Sequence, residues 1–226
     1  MEVAVVDTPA LTVRRLCCFD PENRCEFDVK DYIFDAPGVE ELAAGCAGII
    51  LREGAGSEAR AATLLTAGAP LVFLGEGALF DGELVRRMAQ SYPGRIGIYA
   101  LAQRQAVSWT LDTVSNADFR TVTPSVGEPA WEVLKANGAP TGTLLGWWLA
   151  AMRERGATQF LVHVDVRDDT DLNILAGLVE TFGEGLWVGP RSDEGCLPFE
   201  EWINYGHCRQ LVLSASIYER HQDSAP

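Results

Sequence analysis

Phe160-Leu-Val-His-Val-Asp165, the helix-length run Asp169–Phe182, and Leu186-Trp-Val-Gly189 together decide the fold. The two flanking runs are apolar and short. Runs of this length, bounded by turn residues and Asp, read as strands buried on both faces. Asp169 and Asp171 open the middle run, and acidic residues suit the positive end of a helix. Strand, helix and strand at this spacing form a parallel βαβ unit.

The same alternation extends in both directions. It predicts strands at Val3–Asp7, Tyr32–Asp35, Gly48–Leu51, Leu71–Gly75, Arg95–Ala100, Phe160–Asp165, Leu186–Gly189 and Leu211–Ser214. Helices are expected at Val39–Cys46, Glu58–Ala67 behind a Ser57 cap, Asp81–Ser91, Thr143–Arg155, Asp169–Phe182 and Pro198–Tyr205. Eight parallel strands in 226 residues fit one α/β fold, a (βα)8 TIM barrel, spanning 1–226. The stretch from Cys17 to Asp31 lacks apolar periodicity, and little chain follows Ser214, so the first and last helices should be reduced. Those helices would be neighbours. Either a homodimer or partner subunit covers the gap, or the long first loop folds over it. Segment 101–142 reads as a long loop or lid after the fifth strand. Within it, Ala106–Leu111 and Phe119–Val126 could pair as a hairpin, and Pro129–Gly138 reads as a short helix.

Net charge is −14, which argues against nucleic acid as a partner, because phosphate attraction needs a basic surface. No apolar run reaches membrane-spanning length, and Met1–Ala10 has no basic leader region, so a cytoplasmic protein with no membrane partner is expected. Six cysteines occur without CxxC spacing and with three histidines, so neither a zinc site nor any other cofactor is expected. Cys17, Cys18 and Cys25 are either idle thiols or a metal or redox cluster.

The chain also echoes itself. Tyr32-Ile-Phe-Asp35 matches Val162-His-Val-Asp165. Ile49-Ile-Leu51 before Arg52-Glu53-Gly54 matches Leu186-Trp-Val188 before Gly189-Pro190-Arg191-Ser192. Val72-Phe-Leu-Gly-Glu-Gly77 matches Leu211-Val-Leu-Ser-Ala-Ser216. Two half-barrels related by a pseudo-twofold axis are implied.

Three longer stretches carry a family resemblance: Asp81–Trp109 (DGELVRRMAQSYPGRIGIYALAQRQAVSW), Val162–Asn173 (VHVDVRDDTDLN) and Tyr205–Arg220 (YGHCRQLVLSASIYER). In order and content they resemble the HisA/HisF family of phosphate-binding barrels. The resemblance implies an isomerase- or lyase-type reaction on a phosphorylated sugar or heterocycle. Methanopterin-type C1 cofactor biosynthesis is one implied setting. In the isomerases of that family, aspartates ending strands one and five act as acid and base. Asp7 stands at the first position and Ala100 at the second, which argues against the authentic histidine-pathway isomerase. Asp165 and His163 are the remaining acid–base candidates, against the alternatives of a loop-capping Asp and a buried, hydrogen-bonded His. The resemblance places phosphate at Gly189, Arg191, Ser192, Ser214 and Ser216, with Arg15 near the first strand reaching substrate. The first half departs from the pattern, because Glu53 and Glu76 enter its phosphate turns and would repel the ligand, with Arg52 offsetting one of them. The alternative to an enzyme is a non-catalytic accessory or scaffolding subunit of the same descent.

Overall fold

A computed structural model describes residues 11–19, 27–105, 128–192 and 195–223. The chain forms strands β1 (Thr12–Cys18), β2 (Tyr32–Phe34), β3 (Gly48–Leu51), β4 (Val72–Leu74), β5 (Ile96–Arg104), β6 (Trp131–Leu134), β7 (Pro140–Leu144), β8 (Gln159–His163), β9 (Leu186–Gly189) and β10 (Gln210–Ser214). Helices are α1 (Ser57–Thr66), α2 (Glu76–Phe80), α3 (Gly82–Ser91), α4 (Leu145–Glu154), α5 (Asp169–Phe182), α6 (Phe199–Asn204) and α7 (Ala215–Asp223), with 3-10 turns at Val39–Gly45 and Gly183–Gly185. β1 pairs with β2 and β10, and β4 pairs with β5, so the parallel sheet closes through β1, β2, β3, β4, β5, β8, β9 and β10. This is a (βα)8 barrel.

Seven of its strands lie where the sequence places them. The first does not. The strand beside β10 is Thr12–Cys18, with Arg14 opposite Val212 and Leu16 opposite Ser214. Val3–Asp7, and Asp7 with it, lies outside the described residues. No helix follows β1 among the described residues, and the last helix, α7, has nine residues packed on β1 and β10.

Alternation along each strand sorts the core into two shells. Leu16, Tyr32, Ile50, Phe73, Tyr99, Leu161, Trp187 and Val212 point inward and fill the barrel. Ile33, Ile49, Leu74, Ile98, Val162, Val188 and Leu213 point outward under the helices. Ala100 belongs to the outer shell, so it is not a rim position. β5 instead runs on to Arg104. Its upper part pairs antiparallel with β6, which pairs with β7. The expected helix at Pro129–Gly138 is therefore a β-hairpin. Trp131 and Val133 are β-formers whose burial against the barrel outweighs the helical reading. The Trp131 indole donates to Asp171, which also binds Arg104, tying the hairpin to α5. Residues 106–127, with the other expected hairpin, lie outside the described residues. Gly56, rather than Ser57, caps α1; the Ser57 hydroxyl bonds back to the carbonyls of Glu53 and Gly54. No helix among the described residues is long and apolar enough to cross a membrane.

Candidate functional site

The C-terminal ends of barrel strands are where this fold carries its sites. Here the rim is built twice, once in each half.

In the second half, Asp165 follows β8 and is 7% exposed. Its Oδ1 accepts the backbone N–H of Arg191 (3.1 Å), the N–H of Ser192 (2.9 Å) and the Ser192 hydroxyl (3.1 Å). Its Oδ2 accepts from Arg191 Nη2 and Arg167 Nη2, each at 3.2 Å. Burial pushes the carboxyl up, but the Ser192 N–H, Arg191, the Ser192 hydroxyl and Arg167 hold it below the usual carboxylate range. Asp165 is thus a fixed anion. The two N–H groups that the phosphate reading needs are donated to the protein's own carboxylate. Cys196 also lies 3.7 Å from Asp165 Oδ1, and burial pushes its thiol to about 11.

His163 sits one pleat below, on β8, and is 7% exposed. Its Nδ1 lies 3.2 Å from the Tyr99 hydroxyl, and its Nε2 has no hydrogen-bond partner among the described residues. Burial drives its pKa down to about 4, against the pull of Asp165, so the ring is neutral at pH 7. The ring lies against Gly189, where a Cβ would overlap the Val212 carbonyl oxygen and crowd the imidazole. Gly189 is therefore required by close packing. Ser214 and Ser216 stand at the start of α7, with their hydroxyls 3.1 Å apart. Arg15 lies on the outer face of β1. It binds Asp31 at 2.6 Å, so the structure turns it away from the mouth and corrects its expected substrate role. Its neighbour Arg14 points inward, over the Trp187 and Tyr32 rings.

No family model matches this chain, and no curated protein does. The functional reading rests on geometry.

In the first half, Asp35 comes directly after β2, one position out of phase with Asp165: Tyr32 and Phe34 point inward and Asp35 falls on the outer face with Ile33, whereas Asp165 shares the inner face with Leu161 and His163. Asp35 is also held differently. Arg60 of α1 donates through Nη2 (2.7 Å) and Nε (3.0 Å) to Oδ1, and Nη2 also reaches Glu40 at 2.9 Å. The partner is a helix side chain, so the loop after β3 keeps its backbone donors. Residues 53–56 donate no backbone hydrogen bond among the described residues. Arg52 opens that loop and points inward by alternation from Ile50. Its guanidinium lies 4.7 Å over the Phe34 ring, whose edge meets Tyr99. It is exposed and forms no ion pair among the described residues. Arg52, Glu53, Asp35 and Arg60 line a hollow of about 530 Å3. In sequence Arg52 reads only as an offset to one of the two acids, Glu53 or Glu76. The signal that could have found it is the inward pleat after Ile50, which places a cation in the mouth of an acidic protein.

Proposed function

We propose that this chain binds a small phosphorylated molecule at the barrel mouth and acts on it as an isomerase- or lyase-type enzyme of the HisA/HisF kind. One observation carries the reading. Arg52 stands at the rim of a chain of net charge −14 without a carboxylate partner among the described residues, beside a loop whose N–H groups are uncommitted. A guanidinium and free backbone donors are what a phosphate group requires. Ser214 and Ser216 supply hydroxyls on the other half of the rim. Of the acid–base candidates, Asp165 serves as a fixed anion and His163 as a neutral hydrogen-bonding ring, and Asp7 loses its expected place, because the first barrel strand is Thr12–Cys18 and Asp7 precedes it. A place in methanopterin-type C1 cofactor biosynthesis belongs to this reading through the family resemblance alone. Isothermal titration with ribose 5-phosphate tests it. Binding lost in Arg52→Ala is the expected result, and no binding at millimolar ligand would contradict it.

A second reading, a non-catalytic accessory barrel with a partner subunit, is favoured by the saturation of Asp165. A carboxylate with five donors stabilises a loop and moves no proton. Native mass spectrometry of the chain isolated from its own host separates the readings. A stable hetero-complex without ribose phosphate binding would favour the second.

A further inference from the structure

Arg52 is flanked by two carboxylates, Glu53 beside it in the loop and Glu76 across the turn after β4. Neither forms an ion pair among the described residues, with Arg52 or any other cation. This is unusual for the region. Asp35 and Glu40 share Arg60, and Glu58 and Asp81 share Arg87. Arg52 is held off its neighbours by stacking on Phe34, a contact that keeps its charge while leaving the outer edge of the guanidinium open. Glu53 and Arg52 line the same hollow, and Glu76 lies on the other side of Arg52 in a small cleft with Gly75 and Tyr99. The site therefore presents one cation and two carboxylates, kept apart rather than neutralised.

We propose that the ligand of this mouth is a zwitterion, a phosphate ester bearing an ammonium group a few bonds away. The phosphate sits on Arg52 and the N–H groups of residues 53–56, and the ammonium sits on Glu53, with Glu76 adding to the negative field. Two carboxylates near a bare phosphate site repel the ligand, whereas beside an aminoalkyl phosphate they supply the second half of the recognition. Asp35 and Glu40 are excluded from this role, because Arg60 already occupies them. This inference rests on the phosphate reading above and extends it to a substrate class.

Isothermal titration of the full chain with O-phosphoethanolamine and with propyl phosphate tests it. The two probes differ chiefly in an ammonium for a methyl group. O-phosphoethanolamine is expected to bind at least about tenfold tighter, the range of one charge-assisted contact. Glu53→Gln should remove that preference and leave propyl phosphate unchanged or tighter. The double variant Glu53→Gln/Glu76→Gln covers the case in which Glu76 takes the ammonium. Equal binding of both probes, or a preference surviving in the double variant, would overturn the zwitterion and leave the phosphate reading standing. Binding of neither probe at millimolar concentration would overturn both.

Discussion

In the first half of the barrel, Asp35 is held by a side chain, Arg60 of α1; in the second half, Asp165 is held by the backbone of Arg191 and Ser192. The two aspartates end equivalent strands, yet they leave opposite rims behind. A side-chain partner costs the neighbouring loop nothing, so the loop after β3 retains its donors and Arg52. A backbone partner consumes the loop after β9, where the protein's own carboxylate fills the place an external anion would take. Repeat halves that look alike in sequence thus divide into an open rim and a sealed one.

The largest effect expected from this contrast is on stability. Asp165→Ala removes a buried anion and strips the Arg191 and Ser192 N–H groups, the Ser192 hydroxyl and two part-exposed guanidinium groups of their acceptor, which should cost about 3 kcal/mol. Asp35→Ala breaks a half-exposed pair and should cost about 1 kcal/mol. Urea denaturation of the two variants measures the difference, and equal losses would remove the distinction between the halves. If the sealed rim is an anion seat, formate should restore part of the lost Tm in Asp165→Ala and have no such effect on Asp35→Ala.

A second effect belongs to the sealed half alone. His163 titrates at about 4 in the folded chain, below its ordinary value near 6.5. The unfolded chain therefore binds the proton first, and stability falls as pH drops from about 6.5 towards 4, by up to about 3 kcal/mol. Above that window both states are neutral and the group contributes no slope. The depressed carboxyl of Asp165 adds a loss at lower pH, as it is protonated through the bottom of the carboxylate range. His163→Gln should flatten the upper window and keep the lower one. An unchanged slope between pH 6.5 and 4 would show that the imidazole is not held neutral by burial.

Much of this fold was legible because strand burial on both faces leaves a strong apolar signal. Seven strands and the helix Asp169–Phe182 read directly, whereas the echo that pairs Asp35 with Asp165 is out of phase by one residue, since it matches inward Tyr32 with outward Val162. The first strand was misplaced because Val3–Asp7 is the more apolar run, whereas Thr12–Cys18 carries Arg14 and Arg15. Those charges are accommodated by tertiary contacts, Arg14 on the Tyr32 and Trp187 rings and Arg15 on Asp31. The Trp131–Leu144 hairpin was missed for a related reason, since its pairing partner is the part of β5 that rises above the barrel. At the rim, sequence shows which residues occupy a turn but not which donors are already spent. Sequence alone marks the second half as the usable phosphate turn, from Arg191 and Ser192, and discounts the first for Glu53 and Glu76. The geometry leaves the uncommitted donors in the first half and spends those of the second on Asp165.

The smallest structural change gives the most direct comparison. Arg52 is exposed and its one ring contact is with Phe34, so Arg52→Ala should alter stability by no more than about 1 kcal/mol. Arg191→Ala removes one of the Asp165 donors while the two N–H groups stay in place. Titrating both variants with inorganic phosphate tests the central claim that the open rim lies in the first half. The account predicts that Arg52→Ala loses phosphate binding and Arg191→Ala keeps it. Binding that survives in Arg52→Ala and disappears in Arg191→Ala would contradict it.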